Sequence, residues 1–307
     1  MRYQFHTADV FTDRPFGGNP LAVFPDARGL NGRQMQQVAQ ELNLSETVFV
    51  LPPSSPANTR RLRIFTPAAE MPFAGHPTIG TAHILAWIGD IRCDAATTRI
   101  VFEEGVGPVA VTLRAEHGRP TFAQLTAAKL PEFGPPPPAP EAIAAMLSLE
   151  VSDLLLDGDA PQAISCGVPL LFVPLRDRAA LRRAHLDHGK WQATLVSYWA
   201  PHIYLFTYDA ERPGSQLRAR MFAPALGISE DPATGGAAVA LAGYLGVRDS
   251  TRQGTLRWVI EQGVEIGRPS ILEIEADKAN GTVVAVRVGG AAVPMSEGTM
   301  EIPALPE

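Results

Sequence analysis

Cysteine is nearly absent. Cys93 and Cys166 are the only two in 307 residues, too few and too isolated for a disulfide framework or a structural zinc site, and free thiols fit a reducing compartment. Charge is sparse as well, at 19% of residues, with 26 basic against 32 acidic side chains and a formal net charge of -6. No basic run suits a phosphate backbone, so nucleic acid is not an expected partner. Met1 to Val10 carries Arg2, Gln4, His6 and Asp9 instead of the apolar stretch of a signal peptide, and the expectation is a cytoplasmic protein with no membrane partner. Neither G-x-G-x-x-G nor H-E-x-x-H occurs. Gly189-Lys190 is followed by Trp191 and lacks the upstream glycine of a P-loop, which disfavours nucleotide and zinc chemistry.

What is present is apolar. With 46% hydrophobic content the chain can bury a large core and should form two domains. A turn cluster, Asp13 to Pro20, separates two short apolar runs and predicts a hairpin. Asn31 stands at an N-cap position, and Met35, Val38, Ala39 and Leu42 recur at helical spacing after it. Thr47 to Leu51 then reads as a strand, which places Glu46 at a helix-to-strand junction. Further strands are expected at Arg61 to Phe65, Arg99 to Phe102 and Val109 to Leu113, and the proline-rich piece Pro135 to Pro138 reads as a spacer near a domain junction.

Two helix candidates carry no charge. Thr78 to Ile88 and Pro232 to Leu245 lack Asp, Glu, Lys and Arg, so each is apolar on nearly every side and must be buried. At ~1.5 Å per residue the second spans about 21 Å, too short to cross a bilayer comfortably. Each follows the same pattern: Phe65-Thr66-Pro67, then His76-Pro77-Thr78 and Gly80, against Phe222-Ala223-Pro224, then Asp231-Pro232, Thr234 and Gly236. This looks like a duplication. A helix apolar all round needs a curved sheet around it, which predicts two barrel-like units, each wrapped around its own central helix and facing the other. Pro77 and Pro232 are expected in the first helical turn, with His76 and Asp231 at or beside the caps. Unsatisfied N–H groups and the positive dipole end would then favour an anion such as a carboxylate. Capping alone is the competing reading of His76 and Asp231.

Other clusters offer less. His185 and His188, at i, i+3, lack a carboxylate third ligand. Arg176, Arg178, Arg182 and Arg183 are diluted by Asp177 and Asp187 and read as surface. Arg218, Arg220 and Arg268 flank the motifs and either pair with substrate carboxylates or with core acids.

Taken in order, Gly17-Gly18-Asn19-Pro20-Leu21-Ala22-Val23, Leu44-Ser45-Glu46-Thr47, Phe65-Thr66-Pro67, Ala74-Gly75-His76-Pro77-Thr78, Asp231-Pro232-Ala233-Thr234-Gly235 and Gln262-Gly263 with Gly267-Arg268-Pro269-Ser270 closely resemble the motifs of the PhzF family of phenazine-biosynthesis-like isomerases. The resemblance implies an α+β, diaminopimelate epimerase-like fold of two pseudo-symmetric units, 1–118 plus 286–307 and 119–285, usually as a homodimer. It implies no metal and no organic cofactor. It also implies an isomerase that shifts a proton on a small acidic substrate in the inter-domain cleft. On the matching positions, Glu46 is acid and base, His76 and Asp231 assist or bind, and Asn19, Gly75, Thr234, Gly235 and Gly236 belong to the substrate-binding set. Gly236 departs from the pattern, since the family's well-studied isomerases commonly have a serine after Thr-Gly, and phenazine-precursor chemistry is left open. Two alternatives accompany the isomerase. One is a binding or regulatory protein that kept the fold without catalysis. The other is an epimerase or racemase, whose cysteine-based form would need opposed thiols that Cys93 and Cys166 do not supply.

Overall fold

The computed structural model describes residues 1–304. The chain divides into two compact units, Met1–Ala128 with the chain from Val288 onward, and Lys129–Arg287.

In unit 1, β1 (Arg2–Val10) and β2 (Asn19–Phe24) form the expected hairpin, with Val10 opposite Asn19. Its turn needs Gly18: φ is 62°, and a Cβ there would lie 2.3 Å from the Val10 carbonyl oxygen. Helix α1 (Gly32–Leu42) starts at Asn31 through a capping box, in which Asn31 and Gln34 exchange backbone-to-side-chain hydrogen bonds of 3.0 and 2.9 Å. It buries Met35, Val38 and Ala39 over Phe24, Phe49 and Phe65. The chain then enters β3 (Glu46–Leu51), parallel to β2 with Glu46 opposite Leu21.

Strand β4 (Arg60–Phe65) pairs antiparallel with β3 and with the short β5 (Glu70–Met71). After helix α2 (Gly75–Trp87), the antiparallel run β6 (Thr97–Glu104), β7 (Gly107–Glu116) and β8 (Arg119–Thr126) follows. The strand Ala292–Glu301 pairs along β1 and closes the unit. Every residue of α2 from Gly75 to Ala86 is buried, against β1, β2, β3, β7, β8 and the closing strand. Gly80 permits the closest approach, because a Cβ there would lie 2.5 Å from side-chain atoms of Leu21 and Val10. Removing Ile79, Ile84 and Leu85 from water contributes about 1.5–3 kcal/mol each.

Unit 2 opens with β9 (Glu132–Phe133), followed by α3 (Pro140–Met146) and β10 (Gln162–Ser165). Next come β11 (Pro169–Pro174), α4 (Arg178–Arg183), α5 (His188–Leu195) and β12 (His202–Thr207), with β12 parallel to β11. Strands β13 (Leu217–Ala223) and β14 (Ile228–Asp231) lead into α6 (Gly235–Arg248). The unit ends with β15 (Gly254–Gln262), β16 (Ser270–Ala279) and β17 (Thr282–Gly290), the last of which crosses the unit boundary. Helix α6 is buried almost throughout and packs on β10, β15 and β16.

Three expectations change. Pro77 lies in the first turn of α2 as expected, but the helix begins at Gly75 after Ala74, so His76 is its second residue and no cap. Helix α6 begins at Gly235 after Thr234, and Asp231 ends β14, where the ladder with Met221 keeps it extended. Asp231 is therefore no cap. The division after unit 1 follows Ala128 and not residue 118, because β8 pairs with β7 and stays with it; Pro135 to Pro138 lie close to this junction, as expected, ahead of α3.

Candidate active site

In unit 1 the parallel pairing of β2 with β3 sets Glu46 beside Leu21. His76 reaches it from the first turn of α2, with Nε2 3.1 Å from Glu46 Oε2. His76 is 5% exposed, and burial pushes its pKa down to about 3, against the hydrogen bond it makes to the backbone of Pro20. The ring is thus neutral near pH 7. Proline offers only a carbonyl, so the ring donates there. Nε2 makes no hydrogen bond of its own, which assigns the donor to Nδ1 and leaves a lone pair on Nε2 facing Glu46. The Glu46 carboxyl and the His76 ring are thus adjacent. Asn19 is fully buried at the start of β2, and Gly75 forms the first residue of α2.

A second carboxyl in this unit was not singled out from the sequence. Glu104, the last residue of β6, is 8% exposed, and its Oε1 lies 2.7 Å from Thr78 Oγ1. Thr78 also donates toward Ala74 O at 2.8 Å, across the first turn that carries His76. Burial pushes the Glu104 carboxyl up to about 8, against the Thr78 hydrogen bond, so it is largely neutral at pH 7. The signal was alternation: Ile100, Phe102 and Glu104 face one way and Glu103 the other.

In unit 2, Thr234 precedes α6 and turns its hydroxyl back to Asp231, with Oγ1 2.5 Å from Oδ2. The helix start receives no side-chain cap, and Gly235 and Gly236 form its first two positions. A Cβ at Gly236 would meet nothing within 4 Å, so glycine is not required there for packing. Gln262 and Tyr204, also passed over as site residues in the sequence, hold the segment from below: Gln262 Nε2 donates to Asp231 O at 2.8 Å and to Thr234 Oγ1 at 3.0 Å, and Tyr204 donates to Gln262 Oε1 at 3.1 Å. The Gln262-Gly263 and Arg268-Pro269-Ser270 motif has the same purpose. A Cβ at Gly263 would lie 2.5 Å from both Pro232 O and Arg268 O, and Ser270 Oγ donates to Pro232 O at 2.9 Å.

The open question about the arginines resolves toward core acids for two of them. Arg218 pairs with the largely buried Glu265 at 2.7 Å and also with the exposed Glu211 at 2.9 Å, and Arg220 pairs with the buried Glu230 side chain at 2.8 Å. The Arg176, Arg178, Arg182 and Arg183 cluster is likewise paired, with Asp153, Asp177, Asp209 and Glu211. Both cysteines are buried thiols, and burial pushes Cys166 up to about 12, which suppresses its nucleophilic form. Among the described residues no group of three or more His, Cys, Asp or Glu is placed to hold a metal, and no helix is long and apolar enough to cross a membrane.

The sequence matches the model of the phenazine biosynthesis-like protein family over residues 8–298. It is 40% identical over 297 residues to an uncharacterised isomerase of Mesorhizobium japonicum, covering 96% of this chain and 97% of the relative. It is 36% identical over 293 residues to the trans-2,3-dihydro-3-hydroxyanthranilate isomerase of Pseudomonas chlororaphis, covering 95% of this chain and 97% of the relative. The crystal structure of the PhzF-family phenazine biosynthesis protein of Bacillus anthracis superposes with a TM-score of 0.87 at 25% identity, covering 98% of this chain and all of that one. The fold is the α+β, diaminopimelate epimerase-like one that the motifs implied. With its motifs in the expected order and named isomerases as full-length relatives, the chain belongs to the phenazine biosynthesis-like, or PhzF, family of isomerases.

Proposed function

We propose that the protein moves a proton between two carbons of a small, unsaturated, carboxylate-bearing substrate without a cofactor, using Glu46 as acid and then as base. The observation that carries this reading is the 3.1 Å approach of His76 Nε2 to Glu46 Oε2, with the imidazole held neutral by burial. The protonated Glu46 donates to one alkene carbon, and its carboxylate then removes a proton from another carbon. The electron pair of that C–H bond forms the new double bond. The pair ends with as many protons as it began with, so the net change is a displaced double bond. His76 accepts the Glu46 proton's hydrogen bond whenever the acid form is present. Asp231 and Thr234 are assigned to substrate recognition, together with the uncapped first turn of α6. A homodimer in solution belongs to the same reading.

The Pseudomonas relatives make trans-2,3-dihydro-3-hydroxyanthranilate the first substrate to try, with simpler carboxylated dienes beside it. Each is incubated with the protein in deuterated water and followed by proton NMR. The expected result is a shifted double bond with deuterium at the newly protonated carbon. Absence of both isomerisation and carbon-bound exchange across the panel defeats the proposal.

A further inference from the structure

Gln262 is fully buried at the end of β15, and its four hydrogen-bonding positions are all occupied. One N–H reaches Asp231 O at 2.8 Å and the other Thr234 Oγ1 at 3.0 Å; Oε1 accepts from the Tyr204 hydroxyl at 3.1 Å and from the Thr234 backbone N–H at 3.3 Å. The orientation of this amide is forced. A backbone carbonyl only accepts and a backbone N–H only donates, so a flipped amide would set donor against donor at Thr234 and acceptor against acceptor at Asp231. Because Gln262 donates to Thr234 Oγ1, the hydroxyl's single proton is left to point along its 2.5 Å contact to Asp231 Oδ2.

We propose that Gln262 is a positioning residue for the isomerase: its buried amide fixes the direction of the Thr234 hydroxyl and, through it, the orientation of the Asp231 carboxylate. The inference rests on the assignment of Asp231 and Thr234 to substrate recognition made above. Each bond in the chain has one allowed direction, running from Tyr204 through Gln262 and Thr234 to the carboxylate, and bonds polarised in one direction reinforce one another. Glycine at 263 and serine at 270 keep the same segment in place from the opposite side, since both touch the Pro232 carbonyl. A side chain that only filled space would not need every donor and acceptor satisfied by the segment from Asp231 to Thr234 and the tyrosine beneath it.

The test uses Gln262→Met, which keeps length and removes the amide, and Thr234→Val, which keeps shape and removes the hydroxyl. Turnover is measured on the substrate identified by deuterium exchange, and crystal structures of both variants report the Asp231 side chain. Each single variant is expected to lower kcat/KM by about 10-fold or more. The double variant should fall no more than about 3-fold below the weaker single one, because both act through one chain. Thr234→Ser, which retains the hydroxyl, should stay within about 3-fold of the native protein. Asp231 should be rotated away from its native position in both crystal structures. Native kcat/KM in Gln262→Met, multiplicative losses in the double variant, or an unmoved Asp231 would each overturn the inference. If Gln262→Met does not fold, the contrast between Thr234→Val and Thr234→Ser carries the test. Should Glu46→Gln turn out as active as the native protein, the isomerase mechanism fails on its own account, while the position of Asp231 in the variant structures still decides the role of Gln262.

Discussion

Glu104 and Thr78 are joined by a 2.7 Å hydrogen bond beneath the first turn of α2, and the two ionisable histidines of the same helix, His76 and His83, are buried. These three groups set opposed pH limbs of stability. Burial raises the Glu104 pKa from 4.5 to about 8, so above pH 4.5 the unfolded chain releases a proton that the folded protein keeps, and stability is lost as pH rises through 8. His76 and His83 are lowered from 6.5 to about 3 and about 4. Below pH 6.5 the unfolded chain takes up protons that the folded protein refuses, and stability is lost as pH falls. Each limb has a slope near ~1.4 kcal/mol per pH unit per group. In Glu104→Gln the side-chain carbonyl keeps the contact with the Thr78 hydroxyl, and the alkaline limb disappears. Between pH 6 and 8 the native protein should lose about 2–3 kcal/mol relative to this variant in urea titrations; parallel curves would show that Glu104 is ionised in the fold.

Turnover should depend on Glu46 far more than stability does. General acid–base groups contribute about 10²–10⁴-fold, so Glu46→Gln is expected to reduce kcat by at least ~10² with an unchanged circular dichroism spectrum. The kcat/KM profile should also lack a limb near the ordinary histidine value, because His76 is held neutral down to about 3. A histidine-like limb that vanishes in His76→Gln would show the ring to titrate in the working range.

Much of this was legible in the sequence, and the misreadings have specific causes. Asn31 and the uncharged stretches behind His76 and Asp231 announced α1, α2 and α6 because caps and all-round apolarity are local signals. Helix starts were misplaced by using proline as the marker. Pro77 is tolerated at the third position because its N–H would have had no partner in the first turn, and Pro232 lies outside α6, just after a ladder residue. Gln262 and Tyr204 come from β15 and β12, remote in sequence from Asp231. No spacing rule connects such residues. Gln262 was visible as part of a motif but not as a hydrogen-bonding partner.

Two glycines in the central helices should respond oppositely to an added methyl group. Gly80→Ala places a Cβ against Leu21 and Val10, where the nearest atoms would stand at 2.5 Å. Overpacking of this kind costs about 1–3 kcal/mol. Gly236→Ala meets open space in the first turn of α6 and should be neutral or stabilising by up to about 1 kcal/mol, from helix propensity. Thermal unfolding of the two variants tests this directly. Gly236→Ser should fold equally well, so any change in its turnover reports the added hydroxyl and not a packing fault.

Arg220 tests whether the arginines beside the motifs are structural. It donates to Leu181 O at 2.9 Å and Ala184 O at 2.7 Å, buried carbonyls at the end of α4, and both oxygens of Glu230 lie within 2.9 Å of its guanidinium. Arg220 and Glu230 are nearly as buried as the core around them. Arg220→Ala removes the cation and leaves the Glu230 carboxylate and two helix-end carbonyls without it. Breaking a buried pair on one side costs about 3–5 kcal/mol, and a lower urea midpoint with an unchanged slope is the expected reading. Replacing both partners, Arg220→Met with Glu230→Leu, removes the stranded charge and should recover more than half of that loss. The two carbonyls still lack donors, so recovery stays incomplete. Had Arg220 instead been a substrate ligand, the double variant would be stable and inactive. Retention of native KM in the recovered protein, measured on the exchange-identified substrate, assigns this arginine to the fold.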